Sequence, residues 1–160
     1  MTFSYSVACR KEELKTLRDL FSDELTTNGI SGLLRDQIVL AVDEACANAI
    51  IHGNDCDESR KIKLKATLAV DDNDRILTVQ VFDVGEFEMN PKLLERDIQY
   101  FITNRLKGGL GLRLIHTIMD EVGFHNEDRV HICTMKKRIP GLHLAATQAS
   151  EHSDSDSEAI

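Results

Sequence analysis

Phe3, Tyr5 and Val7 alternate with Ser4 and Ser6, the period-two pattern of a short strand. Leu14, Leu17, Leu20, Phe21 and Leu25 then recur at helical spacing, and Asn28-Gly29 supplies a left-handed stop for that helix. Ser31 stands where an N-cap is needed, and the next helix is expected to run to about His52, ended by Gly53-Asn54. In KIKLKATLAV, Ile62, Leu64, Ala66, Leu68 and Val70 face one way and Lys61, Lys63, Lys65 and Thr67 the other, as in a half-buried strand. Asp71-Asp72-Asn73-Asp74 is a turn, and Arg75 to Asp83 returns as an antiparallel partner. Asn90-Pro91 opens a further helix, continued by Leu93, Leu94, Ile98, Phe101 and Ile102. Residues 103–111 read as a loop ending in glycines. A helix is expected from about Leu112 to Val122, closed by Gly123, and a final hairpin over Phe124 to Lys137 turning at Asn126-Glu127-Asp128.

The predicted order is β-α-α-β-β-α-α-β-β, without internal repeats. That order builds an α/β (α+β) two-layer sandwich: a mixed, mostly antiparallel sheet with helices on one face. Residues 1–140 form the domain. The segment from 141 to 160 is small, polar and acidic, and is expected to be a disordered tail.

Composition narrows the classes. A chain of 160 residues that is 42% hydrophobic can bury a core, and with aromatics at 5% and no Trp that core is aliphatic. Half of the formal charge of -8 falls on Glu151, Asp154, Asp156 and Glu158, so the remaining 150 residues carry only -4. Such a body lacks the basic footprint of a nucleic-acid binder. No window approaches the roughly 18 apolar residues of a membrane span, and MTFSYSVACRKEE has no apolar stretch of signal-peptide length. A cytoplasmic protein without a membrane partner is therefore expected. Cys9, Cys46, Cys56 and Cys133 show no CxxC spacing and are read as reduced and structural.

Three pieces of sequence carry chemistry. In VDEACANAIIHGN, Glu44, Asn48 and His52 are four residues apart and share a helix face, at the edge of a stripe that includes Ile38, Ala45 and Ala49. An Asn carbonyl is a suitable hard ligand for Mg²⁺, and a Glu one turn earlier can take a proton from an attacking hydroxyl. A solvated Glu/Asn edge is the plainer alternative. In VQVFDVG, Asp83 continues the parity of Leu77, Val79 and Val81, which aims its carboxylate at the helix layer. A carboxylate so placed needs a partner, and the exocyclic amine of adenine is one. Gly85 lets the backbone approach a flat base, although an Asp-x-Gly turn is common in itself. Finally, Lys107-Gly108-Gly109-Leu110-Gly111-Leu112 precedes a helix, where backbone amides and the helix dipole favour an anion and Lys107 adds a cation near a terminal phosphate. It does not fit GxxxxGK[ST], so a P-loop NTPase is excluded. Each piece alone is weak. The ordered combination is the signal.

At these residues the chain resembles the GHKL ATPase superfamily, and within it the bacterial anti-sigma factor serine/threonine kinases of partner-switching systems. The resemblance spans about residues 3–138. VDEACANAIIHGN resembles the N-box, FDVG the G1 box and KGGLGLRLIHTIMDEV the G2 box. It implies ATP and Mg²⁺ as cofactors, with Glu44 as general base and Asn48 as metal ligand. Asp83 and Gly85 would form the base pocket, and Lys107, Gly108, Gly109, Leu110, Gly111 and Leu112 the phosphate site, with His52 a further phosphate contact. Phe87 stands where the family often has a second glycine, and residues 88–107 would form a short lid. The implied activity is phosphorylation of a STAS-domain anti-sigma antagonist, with a sigma factor as a second partner and a homodimer as a possible assembly. The alternative is a nucleotide-dependent regulator that switches partners without phosphoryl transfer. A sensor histidine kinase would need a phospho-accepting His on a dimerisation helix, for which the chain before residue 11 is too short. His116, His125, His131, His143 and His152 show no ligand spacing in the sequence.

Overall fold

The computed structural model describes residues 1–53, 57–83 and 109–141. In chain order these hold β1 (Thr2–Ala8), α1 (Glu13–Thr27), α2 (Gly32–Asn48), a π-helical turn (Ala49–Gly53), β2 (Lys61–Asp71), β3 (Asp74–Asp83), α3 (Gly109–Ile118), β4 (Glu121–Glu127) and β5 (Val130–Ile139). The expected helix from Asn90 lies outside the described residues, as do residues 142–160.

The strands form one sheet in the order β1-β2-β3-β5-β4, and every pairing among the described residues is antiparallel. The period-two pattern is realised in the core: Ile62, Leu64 and Ala66 on β2, Leu77, Val79 and Val81 on β3, and Met135 on β5 are all buried. The helices meet this face through Leu17, Phe21, Leu25, Ile38, Val42 and Ile115. Phe3 of β1 joins them with its ring tilted against Phe21 at 6.0 Å. Along β2 the burial fades toward the hairpin, and Val70 is 77% exposed although its parity is inward. The strand simply outruns the helix layer there.

The link between α1 and α2 follows from Asn28-Gly29. Gly29 adopts φ 75°, its N–H bonds to Thr26 O, and the Ile30 N–H reaches back to Leu25 O at 2.9 Å. This is the Schellman pattern, with buried Leu25 and Ile30 supplying its hydrophobic contact. Arg75 of β3 donates from Nη1 to Asn28 O at 2.8 Å and ties the turn to the sheet. Ser31 occupies the N-cap position of α2 with extended backbone, but makes no side-chain capping bond.

Two expected boundaries are corrected. The third helix spans Gly109–Ile118 instead of Leu112–Val122, and Gly123 lies inside β4 instead of closing a helix. Contacts with β5 explain the early stop. The Asp120 N–H bonds to Lys136 O at 2.9 Å. The Asp120 carboxylate accepts from Arg138 N–H at 2.7 Å and Lys137 Nζ at 3.1 Å, while Lys137 Nζ also caps Ile118 O at 2.7 Å. Orphan carbonyls and the chain direction are thus settled by the sheet. The last hairpin turns at Asp128 and Arg129, with φ 47° and 71°, one residue beyond the expected Asn126-Glu127-Asp128. Two consecutive positive-φ residues match the right-handed strand twist.

Candidate functional site

The inward stripe of α2 is built from Ile38, Ala41, Val42, Ala45 and Cys46, all buried. Glu44 and Asn48 lie beside it, half-buried, one turn apart. Asp43 turns the other way and accepts from Arg18 Nη2 of α1 at 2.9 Å. That bond raises the Arg18 pKa above its ordinary value, helped by the nearby Asp43 charge. Glu44 is left facing α3.

The approach of α3 is close. A Cβ on Gly111 would lie 2.5 Å from Glu44 Oε2, 3.5 Å from Glu44 Cδ and 4.0 Å from Asn48 Nδ2. The absence of a side chain at 111 lets the first turn of α3 lie against the polar face of α2 without displacing the Glu44 carboxylate. Gly109, Leu110, Gly111 and Leu112 are the first four residues of that helix, and the first three of them were expected in the preceding loop. Their N–H groups are the ones that an α-helix leaves without intrahelical acceptors, at the positive end of its dipole. Glu44, Asn48 and this helix start are brought together. Lys107, Gly108 and Gly85 lie outside the described residues. So does the side chain of His52, and the backbone becomes π-helical at Ala49, so the four-residue spacing defines a common face only through Asn48. Such π turns often occur at functional sites.

Asp83 ends β3 on the helix side and is 5% exposed, as its parity predicts. It shares a partly open cleft with Asn48. Ala45, Ala49, Val81 and Ile115 give the cleft an apolar wall, and Phe124 and Cys133 close its far side. Burial pushes the Cys133 thiol up to about 12, and that of Cys46 higher still, so both stay protonated and unreactive. The cleft thus combines apolar walls suited to a flat ring with an acceptor-only carboxylate and an Asn amide. The Asn leads to the cradle formed by Glu44 and Gly111.

The sequence reading missed the contribution of the last hairpin. Asn126 of β4 and His131 of β5 also line the cleft, and His131 Nδ1 is hydrogen-bonded to Asn126 Oδ1. The signal was available as strand parity: counting back by twos from buried Met135 through Cys133 puts His131 on the helix side. His116 and His125 are exposed.

Comparison with known proteins bears on the fold and the family. Residues 7–137 match the model of the histidine kinase-like ATPase domain. The chain is 30% identical over 103 residues to an anti-sigma F factor of Clostridium perfringens, covering 64% of this chain and 71% of that protein. It is 31% identical over 124 residues to the serine-protein kinase RsbW of Bacillus subtilis, covering 70% and 74%. In fold it is similar to the crystal structure of the RsbU and RsbW domains of Rv1364c from Mycobacterium tuberculosis, with a TM-score of 0.62 at 18% identity over 88% of this chain. The chain spans about a third (34%) of the length of that larger protein. Among the described residues no helix is long and apolar enough to cross a membrane. Matched over most of its length, the chain belongs to the histidine kinase-like ATPase domain family.

Proposed function

We propose that the chain is a protein serine/threonine kinase that uses ATP and Mg²⁺ to phosphorylate a STAS-domain anti-sigma antagonist in a cytoplasmic partner-switching system, with a sigma factor as its second partner. The observation that carries this reading is the contact of Glu44 and Asn48 with the glycine start of α3, continuous with the cleft that holds Asp83. The two relatives named as an anti-sigma factor and a serine-protein kinase support it.

The residues fit the groups the reaction needs. The cleft accepts adenine, with Asp83 as acceptor for its amine. The first N–H groups of α3, at the positive end of its dipole, bind the phosphates. Asn48 offers its amide oxygen to the metal, which when bound neutralises charge on the phosphates. Glu44 lies at the far end of this line, where it accepts the proton of the acceptor hydroxyl as that oxygen bonds to the γ-phosphorus and ADP leaves. Glu44 is half-buried, which leaves one side open to a protein hydroxyl.

Incubation with ATP, Mg²⁺ and STAS proteins encoded nearby tests the proposal. Mass spectrometry is expected to find one phosphorylated Ser or Thr on the STAS protein with the wild type and none with Glu44→Ala, which should still bind ATP. Equal phosphorylation by Glu44→Ala removes Glu44 from the mechanism. Binding of the STAS protein that depends on ATP, with no phosphorylation by the wild type, would establish the non-catalytic switch instead.

A further inference from the structure

We infer that His131 is a second base-reading residue, which accepts one hydrogen of the adenine amine while Asp83 accepts the other. The inference rests on the proposal that this cleft binds ATP. His131 on β5 is the direct register partner of Asp83 on β3, and Asn126 on β4 is the register partner of His131. Directly opposed residues project to the same face with Cβ atoms about 4.5–5.5 Å apart. All three residues line the one cleft, next to its apolar wall.

The hydrogen bond to Asn126 decides what His131 offers. With Asn126 Oδ1 as the partner atom, the proton of that bond is assigned to His131 Nδ1. In the neutral ring Nε2 is then an acceptor, fixed in orientation by the same bond. Two acceptors on neighbouring strands, the Asp83 carboxylate and His131 Nε2, match a group that donates two hydrogens from one nitrogen. The six-position amine of adenine is such a group. Guanine has a carbonyl oxygen there and meets two acceptors at once, so the pair rejects it more strongly than a lone carboxylate does. Asn126 is a positioning residue in this arrangement, acting only through the imidazole.

The test compares ATP with purine riboside triphosphate, which lacks the amine, by titration against the full chain at neutral pH. In the wild type the loss of the amine removes both hydrogen bonds. In His131→Ala the affinity ratio of the two nucleotides is expected to shrink about three- to tenfold, the worth of one neutral hydrogen bond. Asn126→Ala, at an exposed position, frees the ring to take the other tautomer and is expected to shrink the ratio in the same direction by less. It also serves if His131→Ala does not fold. An unchanged ratio in folded His131→Ala, or in Asn126→Ala where the former fails to fold, overturns the inference. Asp83→Asn separates the two levels of the argument. If it shrinks the ratio and His131→Ala does not, only the role of His131 fails. If neither variant changes the ratio, the reading of the cleft as an adenine site fails with it.

Discussion

Gly111→Ala is the most informative single substitution, because it should separate catalysis from folding. The added Cβ would lie 2.5 Å from Glu44 Oε2. Carbon and oxygen without a bond between them sit at least ~3.2 Å apart, so the carboxylate must retreat by somewhat under about 1 Å. The neighbour that must move is the end of a flexible side chain, not backbone, so the packing cost sits at the low end of the roughly 1–3 kcal/mol seen for overpacking. Against it stands the helix preference for Ala over Gly, about 1 kcal/mol. The backbone of Gly111 is helical and needs no positive φ, so no strain is added. The two terms nearly cancel, and the melting temperature should move by no more than a few degrees. Catalysis has no such compensation. Displacing a catalytic group by about 1 Å costs on the order of a hundredfold in rate. Asn48 Nδ2, at 4.0 Å, remains in ordinary contact, so ATP affinity should fall much less than turnover. Calorimetric melting, ATP titration and a phosphoryl-transfer assay on one preparation check all three parts. A stable variant with an unchanged transfer rate would refute the positioning of Glu44 against α3.

Further expectations follow from the same geometry. Asn48→Ala should weaken ATP binding in Mg²⁺ more than in its absence, by titration with and without EDTA; equal losses would mean damaged packing rather than a lost metal ligand. Asp120→Ala should lower the melting temperature, because it removes the acceptor that holds the end of α3 to β5. Partial burial alone would raise the Asp120 carboxyl, but bonds from the Arg138 N–H and Lys137 Nζ, with the charges of both residues, outweigh it and hold the pKa below its ordinary value. A depressed folded pKa gives stability that is present above the unfolded value and lost as pH falls through the folded one. The gap between wild type and Asp120→Ala should therefore be full at neutral pH and close as the pH drops below about 4; a gap that stays constant into acid would exclude the ionised carboxylate as its source.

Much of this arrangement was legible in the sequence because it depends on local periodicity. The inward parity of Ile62, Leu64 and Ala66, and of Leu77 through Asp83, needs only the two-residue repeat of a strand. The pairing of Glu44 with Asn48 needs only the helical repeat, and Asn28-Gly29 carries its own stop signal. What escaped depends on contacts between elements. The end of α3 is set by Asp120 bonding to β5, a partner that no local pattern names. The glycines at 109 and 111 looked like loop residues, yet the one at 111 leaves room for the Glu44 carboxylate across the helix interface. His131 has no partner at ligand spacing along the chain, because Asp83 and Asn126 reach it through strand register. Residues 84–108, with Gly85, Phe87, Lys107 and Gly108, lie outside the described residues, so their part in the site rests on the sequence.

The account as a whole depends on the cleft beside Asp83 being an ATP site, and nucleotide selectivity measures this most directly. ATP and GTP are titrated in Mg²⁺ against the wild type and Asp83→Asn. The buried carboxylate should favour the adenine amine and repel the guanine carbonyl. Asp83→Asn should lose about tenfold or more in ATP affinity, since a hydrogen bond to a charged group is worth about 1.5–3 kcal/mol. Its preference for ATP over GTP should narrow, because the amide can donate to guanine. Equal affinity of the wild type for ATP and GTP, or an Asp83→Asn variant that binds ATP as tightly as the wild type, would contradict the account.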